Sequence, residues 1–228
     1  MKVPHRQSLL ASWDACLAHT RPWLEDSSLG QLREVSAGTV LYTQGAPHKF
    51  FYLIREGFVQ SSMLHGSGRR LLLELMGPGT LFGEGSAFDG QPRYVEMQAV
   101  TDSMLSAYTP ADILAAGART PELMADIVKV MASKQRTLAG KLLAFNNEDP
   151  ESRLRRLLGT LVTVQRRTGG SDEARAQQIW LSQESLAEMC GMSRISAARA
   201  LRRLANLGLV RTHARFVEVV DPAGLGAM

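Results

Sequence analysis

The sequence predicts an α+β protein with an N-terminal antiparallel β-barrel or jelly roll, a long helix and a C-terminal winged helix-turn-helix. Short apolar stretches separated by turn residues recur between residues 31 and 108. A helical pattern of about 25 residues follows Pro121. Two short amphipathic segments meet at Gly191, and two strand-like segments come after them. We therefore divide the chain into a barrel with an N-terminal helical arm (1–120), the long helix (121–147) and the winged domain (148–228).

The predicted strands alternate with turn signals such as Gly45-Ala46-Pro47 and Gly77-Pro78-Gly79. They cover residues 39–42, 50–54, 58–64, 71–76, 80–82, 94–100 and 104–108. Many short strands at near-regular spacing are typical of an antiparallel barrel or jelly roll. Before them, residues 9–17 form a weakly periodic helical segment, which we interpret as a packing arm.

The long helix carries apolar residues at spacings of three, four and seven. They are Met124, Ile127, Met131, Leu138, Leu142 and Phe145, interrupted by Lys134 and Lys141. One face of this helix should pack on its own barrel. A helix of roughly 37 Å is too long for that barrel to cover, so we expect parallel pairing with a second copy.

A hinge is predicted at residues 146–150, because the residue before Pro150 is biased away from helix. An amphipathic helix over 151–166 then opens the last domain. Ser182 and Ser193 are each placed to cap a short helix, and Gly191 can form the turn between them. On the second helix, we place Ile195 and Ala198 on the apolar side with two leucines, Leu201 and Leu204. The other side carries four arginines, Arg194, Arg199, Arg202 and Arg203.

Residues 209–212 and 216–220 read as two strands around His213-Ala214-Arg215. A basic hairpin directly after two such helices is the wing of a winged helix, and the second helix of the pair is the one that enters a DNA major groove. The charge distribution agrees. Residues 150–228 hold twelve arginines against seven acidic residues, a balance of +5, and the other residues balance at −1. A polyanion is the expected partner.

Two cysteines 174 positions apart, Cys16 and Cys190, form no disulfide framework, which favours a reducing cytoplasm. The N-terminus lacks the apolar core of a signal peptide, and no apolar run approaches the roughly 20 residues that cross a bilayer. We expect a cytoplasmic protein without a membrane partner.

The order of barrel, long helix, hinge and winged helix resembles the CRP/FNR family of bacterial transcription regulators, over about residues 31–220. The local matches are Gly77-Pro78-Gly79, Phe82-Gly83-Glu84, Pro92-Arg93, Ser182-Gln183 and the run from Gly191 to Arg194 with Arg199 beyond it. The resemblance implies a cyclic-nucleotide-binding-like barrel, a homodimer on a palindromic operator of double-stranded DNA, and an allosteric effector. RNA polymerase is a further candidate partner.

By the same resemblance, the segment from Phe82 to Arg93 is a phosphate-binding cassette. Backbone amides at Gly83, Gly85 and Ser86 would face an anion at the start of a short helix. Arg93 would neutralise the anion, and Glu84 would accept a hydrogen bond from a ribose hydroxyl. The alternative is that Glu84 and Arg93 pair with each other in an empty barrel.

Two departures separate this chain from the cyclic-AMP-binding members of the family. Tyr94 follows the arginine where those members have a small hydroxyl residue. Leu138 stands where they present a hydroxyl from the long helix. The effector is therefore either a cyclic nucleotide or a smaller aromatic acid, and the acid would suit Tyr94 and Leu138 with a cation from Lys134 or Lys141.

Base contacts are expected from the N-terminal part of the second helix, where Arg194 and Arg199 can each fork onto guanine. Ile195 stands where many family members have glutamate, so the preferred half-site should differ from the commonest family box. Ser182, Gln183, His213 and Arg215 should hold phosphate. The complete candidate DNA-binding set is Ser182, Gln183, Ser193, Arg194, Ile195, Ser196, Arg199, His213 and Arg215.

Other function classes fit the sequence less well. A cupin-like metal enzyme needs converging histidines, and neither an H-x-H pair nor a nucleophile beside a base is present, so we expect neither an enzyme nor a metal site. An iron–sulfur cluster needs four thiolates, and the chain has two cysteines. Scattered histidines, His5, His19, His48 and His65, disfavour haem. A constitutive DNA-binding dimer with a barrel that senses nothing stays open.

Overall fold

The computed structural model describes residues 12–25, 29–64, 66, 70–168, 177–214 and 216–226. The described residues divide into two compact units, one within residues 10–138 and one within residues 139–228. The division falls inside the long helix. None of the described helices is long and apolar enough to span a membrane.

The first unit is two antiparallel sheets with helices before, between and after their strands. Its elements are α1 (Ser12–Glu25), β1 (Gln31–Val35), β2 (Val40–Tyr42), β3 (Phe51–Glu56), β4 (Val59–Leu64), β5 (Arg70–Met76), β6 (Leu81–Phe82), α2 (Glu84–Asp89), β7 (Glu96–Ala99), β8 (Ser103–Tyr108), α3 (Pro110–Gly117) and the first part of α4 (Glu122–Asn147). One sheet has the order β1-β8-β3-β6 and the other β2-β7-β4-β5. The α+β class and the antiparallel β domain are confirmed, in the two-sheet form of a jelly roll.

Strand β3 explains how this unit is layered. Its continuous apolar run is buried on both faces, as expected of a strand that has neighbours above and below. Tyr52 and Ile54 join the core between the two sheets, together with Met97 of β7. Phe51 and Leu53 point the other way, into a second core built with Trp23, Ile113, Ile127 and Val130 from the helices. The helices therefore cover the outer face of one sheet.

The apolar residues that the sequence analysis grouped on the long helix lie on two different faces of it, one buried and one exposed. Ile127 is buried in the helix-covered core, and Met124 packs against it. The exposed apolar side instead begins at Val128 and continues through Met131, Leu138 and Leu142. Placing Ile127 on the outward seam was wrong, because at 100° per residue it shares a face with Val130 and not with Val128. The side chain of Phe145 lies outside the described residues.

The second unit is a helical domain with a small sheet. It contains the end of α4, then α5 (Pro150–Thr168), β9 (Gln178–Ile179), α6 (Gln183–Met189), α7 (Arg194–Asn206), β10 (Val210–Thr212), β11 (Val217–Val219) and α8 (Pro222–Gly226). Its sheet has the order β10-β11-β9, and all its strand pairs are antiparallel. The predicted wing hairpin is confirmed, with β9 as a third strand.

The break between α4 and α5 lies at Glu148-Asp149, inside the predicted hinge. Asp149 caps α5, because its Oδ1 accepts hydrogen bonds from the amides of Glu151 (2.9 Å) and Ser152 (3.2 Å). The Ser152 hydroxyl and these amides hold the pKa of Asp149 below its usual value. Pro150 then occupies the first helical position, where its missing amide costs no hydrogen bond.

Candidate functional site

The cassette from Phe82 to Arg93 contains a glycine in the left-handed backbone conformation. Gly83 has φ of 80° and precedes the six-residue helix α2. A Cβ at this position would lie 2.8 Å from Nη1 of Arg93, and the positive φ is itself unfavourable for any other residue, so both features favour glycine. The sequence predicted an amide at Gly83 that faces an anion at a helix start, and the structure adds the positive φ and the close approach of Arg93.

Arg93 is 4% exposed and holds two loops of the backbone together. Its Nη1 donates to the carbonyl of Gly83 (2.7 Å), and its Nη2 donates to the carbonyl of Phe50. The guanidinium lies 4.1 Å above the ring of Tyr42, a cation–π contact. Its Nε is buried and has no hydrogen-bond partner among the described residues. The alternative pairing of Arg93 with Glu84 is wrong, because both groups have other partners.

Glu84 pairs with Lys134 of α4. Nζ of Lys134 lies 2.6 Å from Oε1 of Glu84 and 2.5 Å from the carbonyl oxygen of Leu81. The Glu84 side chain is 7% exposed and that of Lys134 is 22% exposed. Burial disfavours the ammonium group, but the adjacent carboxylate outweighs it, so the pKa of Lys134 is raised above its usual value. The cassette is thus tied to the long helix by an ion pair between residues 50 positions apart.

The other predicted effector residues differ in how close they come to this centre. Ser86 is buried, and its hydroxyl is 3.4 Å from the carbonyl of Pro92. The ring of Tyr94 would lie 3.7 Å from a Cβ placed on Gly85, yet Tyr94 is 62% exposed, so its phenol turns largely outward. Leu138 is 55% exposed. The structure therefore gathers Gly83, Glu84, Arg93 and Lys134, with Tyr94 beside them, and leaves Leu138 at the surface.

The groups that hold Arg93 and Lys134 in place were not predicted from the sequence. Tyr42 lies under the guanidinium, and burial raises the pKa of its hydroxyl well above the usual range although the nearby Arg93 opposes the shift. The carbonyls of Phe50 and Leu81 are backbone groups, and no residue type marks them in advance. Only the tertiary fold brings these groups to the cassette.

The helix-turn-helix is built as its sequence predicts. The amide of Ser185 donates to the hydroxyl oxygen of Ser182 (3.0 Å) at the start of α6. The amide of Ser196 donates to that of Ser193 (3.1 Å) at the start of α7. Gly191 has φ of 60° in the turn between them. Both predicted caps are confirmed, and the Ser196 hydroxyl lies 2.9 Å from that of Ser193.

Helix α7 buries a different stripe from the one predicted. Its core face consists of Ala197, Ala200, Leu201 and Leu204. Ile195 is 67% exposed, so its assignment to the apolar side was wrong. Six positions before Leu201, Ile195 lies about 120° away around the helix axis.

The exposed side of α7 is rich in arginine. Arg194, Arg199 and Arg202 are exposed, and Ile195, Arg199 and Arg202 share one face at spacings of four and three. Arg203 is also exposed, but its Nη1 lies 3.6 Å from a carboxylate oxygen of Glu151. Gln183, the first residue of α6, is exposed as well. This side of the unit presents guanidinium groups beside an accessible isoleucine.

The wing carries its own charge pairs. Nε2 of His213 lies 3.2 Å from Oε2 of Glu218, and Nη1 of Arg211 lies 3.7 Å from the same oxygen. Arg211 and Glu218 were not predicted from the sequence, although the period-two alternation of 216–220 points Glu218 outward. Arg215 lies outside the described residues.

Neither cysteine offers an activated nucleophile. Cys16 and Cys190 are both free and buried, and burial raises the pKa of each thiol to about 12. Among the described residues, no three histidine, cysteine, aspartate or glutamate side chains are grouped to hold a metal ion.

Two family models match this chain, one in each unit. The cyclic nucleotide-binding domain matches residues 32–119, and the Crp-like helix-turn-helix domain matches residues 152–228. The Cyclic AMP receptor protein of Thermus thermophilus is 31% identical over 195 residues, or 85% of each chain. The CRP-like cAMP-activated global transcriptional regulator of Mycobacterium tuberculosis is 28% identical over 186 residues, or 81% of each chain.

Solved structures show the same fold. The c-di-GMP responsive global regulator CLP of Xanthomonas campestris aligns with a TM-score of 0.70 at 21% identity, covering 90% of this chain and 99% of that one. A CRP/FNR-family transcriptional regulator of Thermus thermophilus aligns with a TM-score of 0.68 at 23% identity, covering 86% and 96%. The two matched domains, their order and the relative at 31% identity lead to one conclusion: this chain belongs to the CRP/FNR family of DNA-binding transcription regulators.

Proposed function

We propose that this protein is a homodimeric regulator that reads a palindromic DNA operator with α7 and responds to a small molecule held beside α2. The observation that carries the proposal is the exposed arginine face of α7. Arg194, Arg199 and Arg202 stand free of carboxylate partners among the described residues, next to an exposed Ile195. Such a face on the second helix of a helix-turn-helix suits the major groove.

Different residues of helices α6 and α7 would make different kinds of contact with DNA. Arg194 and Arg199 can each donate a forked pair of hydrogen bonds to guanine, and Ile195 can pack against a thymine methyl. Ser182, Gln183 and Ser193 stand at the starts of α6 and α7, where backbone amides and polar side chains suit phosphate. In Ser182 and Ser193 the hydroxyl oxygens already accept hydrogen bonds as helix caps, so a phosphate contact would come from their O–H groups.

Dimer formation is supported by the outward stripe of α4. Val128, Met131, Leu138 and Leu142 are exposed, and with Gln135 they follow the alternating spacing of three and four that defines a heptad seam. An apolar seam of this length on a helix that packs elsewhere through Ile127 and Val130 is suited to a second copy of the same helix. The two readers would then face two half-sites of one operator.

Control by an effector is supported by the ion pair between Glu84 and Lys134. A ligand that gives Glu84 a hydroxyl donor, or gives Lys134 an anion, competes with this pair and frees α4 from the cassette. Such a ligand shifts the equilibrium only if it binds the two arrangements with different affinity. Buried Nε of Arg93 is a donor without a partner among the described residues, which favours an anionic group. We keep two chemical classes, cyclic nucleotides and aromatic acids.

Two further elements of the proposal come from the sequence and the family. The two unpaired, buried cysteines fit a reducing cytoplasm. RNA polymerase is the partner through which a bound dimer would act on transcription. We propose no catalytic activity and no metal or haem cofactor.

The decisive experiment selects binding sites from a random pool of double-stranded DNA, with and without added ligand. We expect an enriched palindrome whose half-site contains guanine, and an affinity that changes when cyclic nucleotides or aryl acids are supplied. A selected palindrome with no response to any ligand would favour a constitutive dimer. No enrichment at low ionic strength would overturn the DNA-reading proposal.

A further inference from the structure

We propose that Glu218 sets the strength with which the wing holds DNA, by pairing with the guanidinium of Arg211, which would otherwise meet phosphate, while the His213 ring holds the carboxylate in place. This inference rests on the proposed DNA-reading function. It concerns the sequence-independent part of the affinity, whereas the arginines of α7 serve sequence preference.

The register of the hairpin places these three side chains on one face. Arg211 and Glu218 are direct cross-strand partners in the antiparallel pair β10–β11. Their neighbours Val210, Val217 and Val219 are buried, so the alternating residues point to solvent. Oε2 of Glu218 is then shared between Nε2 of His213 at 3.2 Å and Nη1 of Arg211 at 3.7 Å.

A row of aromatic rings fixes the imidazole in this arrangement. The His213 ring stacks on Phe216 with centroids 4.2 Å apart and planes 15° apart. Phe216 in turn contacts Trp180, which follows β9, with ring centroids 4.8 Å apart. The backbone amide of His213 also donates to the carbonyl of Phe216 (2.9 Å). His213 therefore has little freedom to leave Glu218 and reach outward.

The effect on DNA binding follows from counterion release. A cation strengthens binding by displacing an ion from the phosphate backbone, and a carboxylate already beside that cation supplies the opposing charge instead. The negative charge of Glu218 also repels phosphate. The Arg211 side chain is well exposed, so its pair is weak and opens readily. Glu218 consequently tunes the wing and does not block it.

The test is E218Q, which keeps the shape of the side chain and removes its charge. Affinity for an unrelated duplex is measured from 50 to 200 mM salt. For each additional phosphate that the wing neutralises, we expect the slope of log K against log salt to steepen by about 0.9. The ratio of the affinity at 50 mM salt to the affinity at 200 mM salt should then be about threefold larger for E218Q than for the unmodified protein. A matched control is E122Q, which makes the same charge change at an exposed residue of the other unit.

The triple variant R211A/H213A/E218Q separates the effect of a freed guanidinium from the effect of lost repulsion between Glu218 and phosphate. The steeper slope produced by E218Q should disappear in it, because Arg211, the guanidinium that pairs with Glu218 among the described residues, is absent. A steeper slope that persists in the triple variant, or an E218Q protein of native circular dichroism whose slope is unchanged or shallower, overturns the proposal. If the unmodified protein binds no duplex at any salt concentration, the proposed function itself fails, which is a different result.

Discussion

Replacing Lys134 with methionine tests the link between the cassette and the long helix. The K134M variant leaves Glu84, which is 5% exposed, without the ammonium 2.6 Å away. Removing one partner of a buried ion pair costs about 3–5 kcal/mol. Because Lys134 keeps part of its surface in water, we expect a loss somewhat below that range, about 2–3 kcal/mol in the free energy of unfolding at pH 7.

The measurement is urea unfolding followed by tryptophan fluorescence in a W180F background, where the remaining tryptophans lie on α1 and report on the N-terminal unit. K129M is the matched control on the same helix. Lys129 pairs with Asp126 at 3.2 Å, and its side chain is 52% exposed while that of Asp126 is 13% exposed, so its loss should cost less than the loss of Lys134. The E84Q/K134M double variant should regain about 1–3 kcal/mol relative to K134M, because no buried charge is left unpaired.

The pH dependence has a definite sign. The pKa of Lys134 in the folded protein lies above its ordinary value of 10.5. Its contribution to stability is therefore complete below about pH 10.5 and declines as the pH rises through the higher folded value. The difference between the unmodified protein and K134M should stay constant from neutral pH to about pH 10 and shrink above it. Equal stability of K134M and K129M, or a difference that shrinks between about pH 7 and 9, would refute the reasoning.

Three further predictions concern the reader, the dimer and the cassette. R199A should lose about 1–3 kcal/mol on the best operator and relax preference at one base pair, whereas R215A should weaken all duplexes about equally; identical selection profiles for the two variants would contradict this division. L138E should convert the dimer to a monomer in sedimentation at micromolar concentration, because a charge would enter the seam, and an unchanged mass would exclude that seam. G83A should destabilise the first unit by more than about 1 kcal/mol in urea unfolding, since its Cβ meets Arg93 at a positive φ, and an unaltered midpoint would contradict the tight approach.

Local chemistry made part of this molecule predictable from its sequence. The caps at Ser182 and Ser193 depend only on hydrogen bonds within one helical turn, and Gly191 supplies the positive φ between them. Continuous apolar runs such as the one in β3 indicate strands buried on both faces. Strand β1 was missed because its residues are mostly exposed and polar, and its partner β8 lies about 70 positions later in the chain.

Long-range pairing was not predictable from the sequence. Glu84 could have met Arg93, Lys134 or Lys141, and residue types alone do not rank these partners. The fold decides, because Gly83 lets Arg93 approach two carbonyls while α4 lays Lys134 beside Glu84. The prediction of which face of α7 is buried was wrong for another reason. Alanine occurs both in protein cores and at surfaces. Ala197, Ala198 and Ala200 therefore did not show whether the side of the helix that carries Ile195 is buried.

The folded structure also changes what the basic charge of the second domain means. Twelve arginines over residues 150–228 suggest many phosphate contacts. Yet several arginines already hold oxygen atoms of their own unit: Arg153 and Arg156 contact Glu148, Arg155 contacts the carbonyl of Gly224, Arg203 lies near Glu151 and Arg211 lies near Glu218.

Those internal contacts distinguish arginines that stabilise the domain from arginines that are available to contact DNA. A guanidinium that keeps its internal carbonyl or carboxylate partner releases no counterion when DNA binds, so it adds nothing to the salt dependence. The three exposed arginines of α7, which lack carboxylate partners in the described part of the chain, would contribute, and so would Arg215 at its predicted phosphate contact. A salt slope measured for the unmodified protein should therefore be far shallower than twelve arginines per subunit imply, and a slope near that full count would mean that the internal pairs open on DNA.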